Sequence, residues 1–148
     1  YYRPYHAELK RIVDDTHRRF GVLRQISCHC MSAVGAPTHP DAGKPRADFC
    51  ISDLKGKTSS PETIKLVVDT LKSRGYSVSV NEPYVGNELI GRHGDPARGI
   101  DSIQVEINKK LFMDTKTFRK TAGFDKLKAD LDRLLGVVAA DGMRRINK

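Results

Sequence analysis

An α/β fold, with helices flanking a largely parallel sheet, is predicted by three observations. Short runs rich in β-branched and apolar residues are separated by segments with helical spacing of apolar positions. These elements come in the order strand, helix, strand, strand, helix, after an opening helix. The stretches between them are long and irregular, and carry most of the glycine and proline. A length of 148 residues fits one domain. A chain of that size buries roughly 68–70% of the surface its unfolded form exposes, enough for a core.

Leu9, Ile12, Val13 and Phe20 recur at helical spacing over residues 5–20, and Gly21 supplies a stop signal. "VLRQISC", residues 22–28, reads as a short strand. Residues 31–60 have no sustained period and read as a long loop, with strand character only in "ADFCISD". A loop of that length is functional or else hides structure of its own. "SSPETIKLVVDTLKSRG" reads as a helix with Ser60 as N-cap, Pro61 at the first helical position, Glu62 in the first turn and Gly75 as the stop. "YSVSV", residues 76–80, is a strand, and residues 81–101 form a second irregular stretch. "SIQVEIN", residues 102–108, is the third clear strand. From 115 to about 140 a final helix sets Leu127, Leu131, Leu134, Leu135 and Val138 on one side, ahead of a frayed "MRRINK" tail.

Composition excludes several classes. The chain is 39% hydrophobic and 30% charged, has no tryptophan, and has no apolar run near the roughly 18 residues of a membrane span. No signal-peptide core is visible at its start. Three cysteines are an odd count, and Cys28 and Cys30 stand too close for an easy disulfide in an extended segment. That pattern predicts a reducing, cytoplasmic setting. The net charge of +8 is spread along the chain and interleaved with acidic residues. It predicts a surface biased towards anionic ligands rather than a nucleic-acid footprint. The sequence enters its first helix at once, at "YYRPYHAEL", without a methionine, and so reads as part of a longer chain.

In open α/β sheets, ligands sit where loops leave the carboxyl ends of strands. His29, Arg92, His93 and Glu106 fall at or near such ends. In "SIQVEIN", alternation puts Gln104, Glu106 and Asn108 on one face and Ile103, Val105 and Ile107 on the other. Two readings stand level: a carboxylate in use or paired, or a polar face that meets water. "GRHGDP" sets Arg92 and His93 between glycines, a place where backbone and cation can approach an anion, though unaided it reads as a charged turn. In "SCHC", alternation sends His29 away from Cys28 and Cys30, so the three cannot converge on one metal. Unaided, it reads as a buried end of a strand with an incidental histidine. His6, His17 and His39 read as helix-face or loop residues.

Taken in order, "YYRPYHAELKRIV", "ISCHCMS", "GKPRADFCISDLKGKTSSPE" and "NEPYVGNELIGRHGDPARGIDSIQVEINKKLFMD" resemble the N-formylglutamate amidohydrolase family. The resemblance covers residues 1 to about 140. It implies a mixed, largely parallel sheet flanked by helices, like that of zinc carboxypeptidases and the phosphorylase/hydrolase-like fold. It also implies that residues 1–148 are a single, partial α/β domain, the C-terminal part of a longer hydrolase domain. The implied activity is zinc-dependent cleavage of an N-formyl or N-acyl amino acid such as N-formylglutamate, giving formate and the free amino acid. That is chemistry of amino acid catabolism, histidine degradation in particular. By the same resemblance His29 is a zinc (Zn2+) ligand, Glu106 the general base, and Arg92 with adjacent His93 the grip on an anionic substrate. Ser27 and Cys30 depart from the family's aspartate and serine, and the family's early histidine-glycine motif and acidic zinc ligand have no counterpart in these 148 residues. Other readings are a related zinc peptidase or N-acyl amino acid hydrolase, and a non-catalytic basic binding module or inactive fragment.

Overall fold

A computed structural model describes residues 1–146. The chain runs through helix α1 (Tyr2–Phe20), strand β1 (Leu23–Met31), strand β2 (Phe49–Ser52), helix α2 (Pro61–Ser73), strand β3 (Val78–Val80), helix α3 (Glu88–His93), strand β4 (Ile100–Asn108) and helix α4 (Gly123–Ile146). The sheet order is β1-β4-β2-β3. β1 pairs with β4 and β2 with β3 in parallel, while β2 and β4 are antiparallel. The sheet is therefore mixed, with two of its three pairings parallel, as expected.

The local signals that worked did so for visible reasons. Ser60 caps α2 by accepting the Thr63 N–H, and Pro61 follows at the first helical position. α1 ends at Gly21, whose φ of 71° lets its N–H close back on the His17 carbonyl at 2.7 Å. Alternation on β4 also holds. Ile103 and Val105 join Phe49 and Ile51 in one core, which α2 covers with Val67 and Leu71 and α4 with Leu127, Leu134 and Val138. Burying each such side chain stabilises by about 1.5–3 kcal/mol. A smaller cluster of Val13, Leu23 and Ile100 seats α1 against the opposite face.

Four expectations change. β1 runs on to Met31, because its backbone stays in register with β4 as far as Asn108, so Cys28, His29 and Cys30 lie within the strand. Residues 31–60 are less open than the absence of a period suggested: bridges Val34–Pro45 and Gly35–Ala42 fold the first part back on itself. The segment "ELIGRH" is helical, capped by Asn87, so Arg92 and His93 sit on α3 rather than in a turn. α4 begins at Gly123, not at 115. It continues through Ile146, so most of the tail is helix, while residues 147–148 lie outside the described residues.

Candidate active site

The polar face of the sheet carries the chemistry. The polar side chains of β4 do not meet water: Gln104, Glu106 and Asn108 are all buried, Glu106 with 6% of its surface exposed. Of the two readings open for this face, the solvated one falls. Glu106 is the direct register partner of His29 across the parallel β1–β4 ladder, which sets the two side chains on one face of adjacent strands about 4.8 Å apart. Glu106 Oε1 accepts a hydrogen bond from Gln104 Nε2 at 3.0 Å. Burial pushes the Glu106 carboxyl above its ordinary value; His29, the Gln104 bond, Arg46 and Lys109 pull against that rise. His29 is exposed on the edge strand, with Nε2 3.1 Å from Ser27 Oγ.

A buried arginine that the motifs did not single out stands over this end of the sheet. Arg46, 6% exposed, is gripped by Asp41 through Nε (2.7 Å) and Nη2 (2.9 Å), and its Nη1 donates to Ser32 Oγ (3.0 Å) and to the Tyr84 hydroxyl (2.9 Å). Asn108 Nδ2 donates to the carbonyls of Ala47 (3.0 Å) and Arg46 (3.4 Å), fastening the loop to β4 two residues beyond Glu106. Tyr84 is tied to the same face, because its carbonyl accepts from Ser52 Oγ (2.8 Å) and Cys50 Sγ (3.5 Å). Cys50 and Ser52 are the β2 register partners of Glu106 and Gln104. His39 meets the Tyr84 ring edge-on. The one sequence signal for Arg46 was its place just before the strand "FCIS", inside a run that resembles the family.

A cleft of about 630 Å³ opens beside His29, between α1 and the start of α3. Its walls include Tyr5, His6, Ser27, Asn87 and Glu88. His6, expected as an ordinary helix-face residue, thus lies in the same cleft as His29, and its Nδ1 is buried without a partner among the described residues. A second hollow of about 400 Å³, between α1 and α4, is apolar and includes neither His29 nor Glu106.

Arg92 and His93 are not gathered with Glu106. Arg92 pairs with Glu88 one turn earlier on α3, donates to the Tyr2 hydroxyl at 3.2 Å and lies over the Tyr2 ring. Its charge acts on Tyr2, Glu88 and His93. His93 is buried, and burial together with the cations Arg92 and Lys10 and with His6 holds its pKa below the ordinary value. The cation that reaches Glu106 from a buried position is Arg46. Cys28 and Cys30 lie on the opposite face from His29, as alternation required, but they are exposed rather than packed. Among the described residues, no group of three His, Cys, Asp or Glu side chains is placed to hold a metal ion. A catalytic zinc takes about three protein ligands, so His29 does not complete such a site with what surrounds it here.

Residues 1–113, which include His29, Arg46, Tyr84, Arg92, His93 and Glu106, match the family model described as N-formylglutamate amidohydrolase. A curated N-formylglutamate deformylase from Pseudomonas putida is 26% identical over 114 residues, 76% of this chain and 42% of that protein. The crystal structure of N-formylglutamate amidohydrolase from Ralstonia eutropha JMP134 superposes with a TM-score of 0.81 at 33% identity, over 97% of this chain and 51% of that one. The chain thus spans about half the length of the relatives it matches.

Proposed function

The chain belongs to the N-formylglutamate amidohydrolase family, and from that premise we propose that its site takes part in hydrolysing the amide bond of an N-formyl amino acid, N-formylglutamate first among them. The observation that carries this reading is the pairing of buried Glu106 with His29 on adjacent parallel strands. A carboxylate raised in pKa by burial is a stronger base than one in water, and a general base works best with a pKa nearer the working pH. In this reading Glu106 removes a proton from the attacking water and passes it to the departing amine nitrogen. Gln104, bonded to Oε1, fixes which carboxylate oxygen is free to do so.

Zinc enters the proposal through His29 alone, one imidazole where about three ligands are needed. When bound, zinc would acidify water and polarise the formyl carbonyl. The substrate is anionic, and Arg46 and Lys109 are cations whose charge acts on Glu106. Arg92 remains in the proposal as an outer contact, whose guanidinium must leave Glu88, a residue of the cleft wall, to meet a substrate carboxylate; His93 next to it is buried. A reducing cytoplasm fits the three free cysteines.

The direct test is formate release from N-formyl-L-glutamate, alongside N-acetyl-L-glutamate and a dipeptide. Release from the formyl substrate alone supports the proposal. Cleavage of the acetyl or peptide substrate instead points to a related acylase or peptidase, and none from any removes the enzymatic reading for this chain.

A further inference from the structure

The Tyr84 hydroxyl has an unusual place in the hydrogen-bond map. It accepts from Arg46 Nη1 at 2.9 Å, and no acceptor among the described residues takes its own proton. Its neighbour Ser32 Oγ also accepts from Arg46, but spends its proton on the Val34 carbonyl at 2.7 Å. A phenol that accepts from a guanidinium is polarised in the sense that strengthens it as a donor. Its placement is fixed from two sides: the backbone carbonyl is held by the β2 partners of Glu106 and Gln104, and the ring lies 5.1 Å from the Arg46 guanidinium. Arg46 is itself over-determined, by Asp41 through two bonds and by the loop anchored to Asn108.

We infer that the Tyr84 hydroxyl is a catalytic hydrogen-bond donor to the substrate oxygen that gains negative charge beside Glu106, and that Arg46 is the residue that positions it. The inference rests on the amide-hydrolysis reading. As water attacks the carbonyl carbon, the new C–O bond forms, Glu106 takes the water's proton, and the carbonyl electron pair moves onto oxygen. The Tyr84 O–H donates to that oxygen without transferring its proton. When the pair returns, the C–N bond breaks, Glu106 protonates the leaving nitrogen, and the products are formate and the amino acid. Such donors are effective because they are already aimed and exclude water reorganisation at the moment of reaction.

Tyr84→Phe removes one oxygen and leaves the ring against Arg46 and His39. With N-formyl-L-glutamate as substrate, kcat is expected to fall about 10²-fold with KM changed less than about threefold, the signature of an interaction made only in the transition state. Arg46→Lys should lower kcat in the same sense by a smaller factor than Arg46→Met. A raised KM at unchanged kcat in Tyr84→Phe makes the hydroxyl a ground-state anchor and overturns the inference, as does no change in either. If the parent chain releases no formate, the amide-hydrolysis reading falls by itself. The hydroxyl is then decided by carbon-13 NMR of ring-labelled tyrosine during titration with formate: a saturable shift of the Tyr84 signal keeps it as an anion donor, and an unmoved signal ends the assignment.

Discussion

Glu106 and His29 face the same side of adjacent parallel strands in direct register, yet the carboxylate is 6% exposed and the imidazole lies open on the sheet edge. The difference is local to His29, since Ser27 and Met31 on the same face of β1 are buried. One partner is desolvated enough to act as a base, and the other is accessible enough to meet a ligand.

Glu106→Gln keeps the shape and can keep the contact with Gln104, but cannot take a proton. Loss of general-base catalysis is worth about 10²–10⁴-fold. Formate release should fall by that range while the thermal midpoint holds or rises, because the buried charge is relieved. A variant with near-parental turnover removes Glu106 from the role.

His29→Ala tests the metal assignment without an assay of activity. If His29 is a zinc ligand, protein purified with zinc present should lose bound metal on elemental analysis, and Ser27→Ala should lower it less. Ser27 Oγ touches Nε2 and orients the ring rather than supplying the ligand atom. Equal zinc in parent and His29→Ala protein sinks the assignment.

What the sequence showed and what it hid divide along physical lines. The α2 cap, the two faces of β4 and the separation of His29 from its flanking cysteines depend on neighbours one to four residues apart, and all were legible. Burial of Glu106 was not, because "SIQVEIN" reads the same whether its polar face is open or covered, and what covers that face is distant in the sequence. Arg46 was missed because two of its partners, Ser32 and Tyr84, stand 14 and 38 residues away along the chain, beyond the reach of any local pattern. The helix that carries Arg92 was hidden because glycines on both sides suggested a turn, where Asn87 in fact caps a short helix and Glu88 pairs with the arginine.

Asp101 should be a costly single loss to stability. It is 2% exposed, sits 2.9 Å from Arg24, and accepts from Ser60 N (2.6 Å), Ser60 Oγ (3.1 Å) and Thr63 Oγ1 (2.6 Å). One carboxylate thereby joins β4, the neighbouring strand and the first turn of α2. Asp101→Ala leaves Arg24 only its second carboxylate partner, Asp141 at 3.3 Å, and strips the buried donors of Ser60 and Thr63 of their acceptor, a change that costs about 1–3 kcal/mol. Urea unfolding should show a midpoint shift of that size with an unchanged slope, and a shift below about 1 kcal/mol refutes the account.

Acid should act through Asp130. This α4 carboxylate, 3% exposed, is bonded by Lys126 Nζ (2.7 Å), Tyr76 O–H (2.8 Å) and Arg74 Nε (2.6 Å). Lys126 first, then Tyr76 and Arg74, lower its pKa from 3.8 to about 2, against the opposing effect of burial. A carboxyl whose folded pKa lies below its unfolded value adds stability that is complete above the unfolded value. That stability is lost as pH falls from about 4 to about 2. Because Lys126 and Arg74 are open to solvent, the contribution is on the order of 1 kcal/mol. Asp130→Asn should therefore melt below the parent at pH 6, and the gap should close as both are taken to pH 2. A gap that stays constant over that range means the loss comes from packing rather than charge.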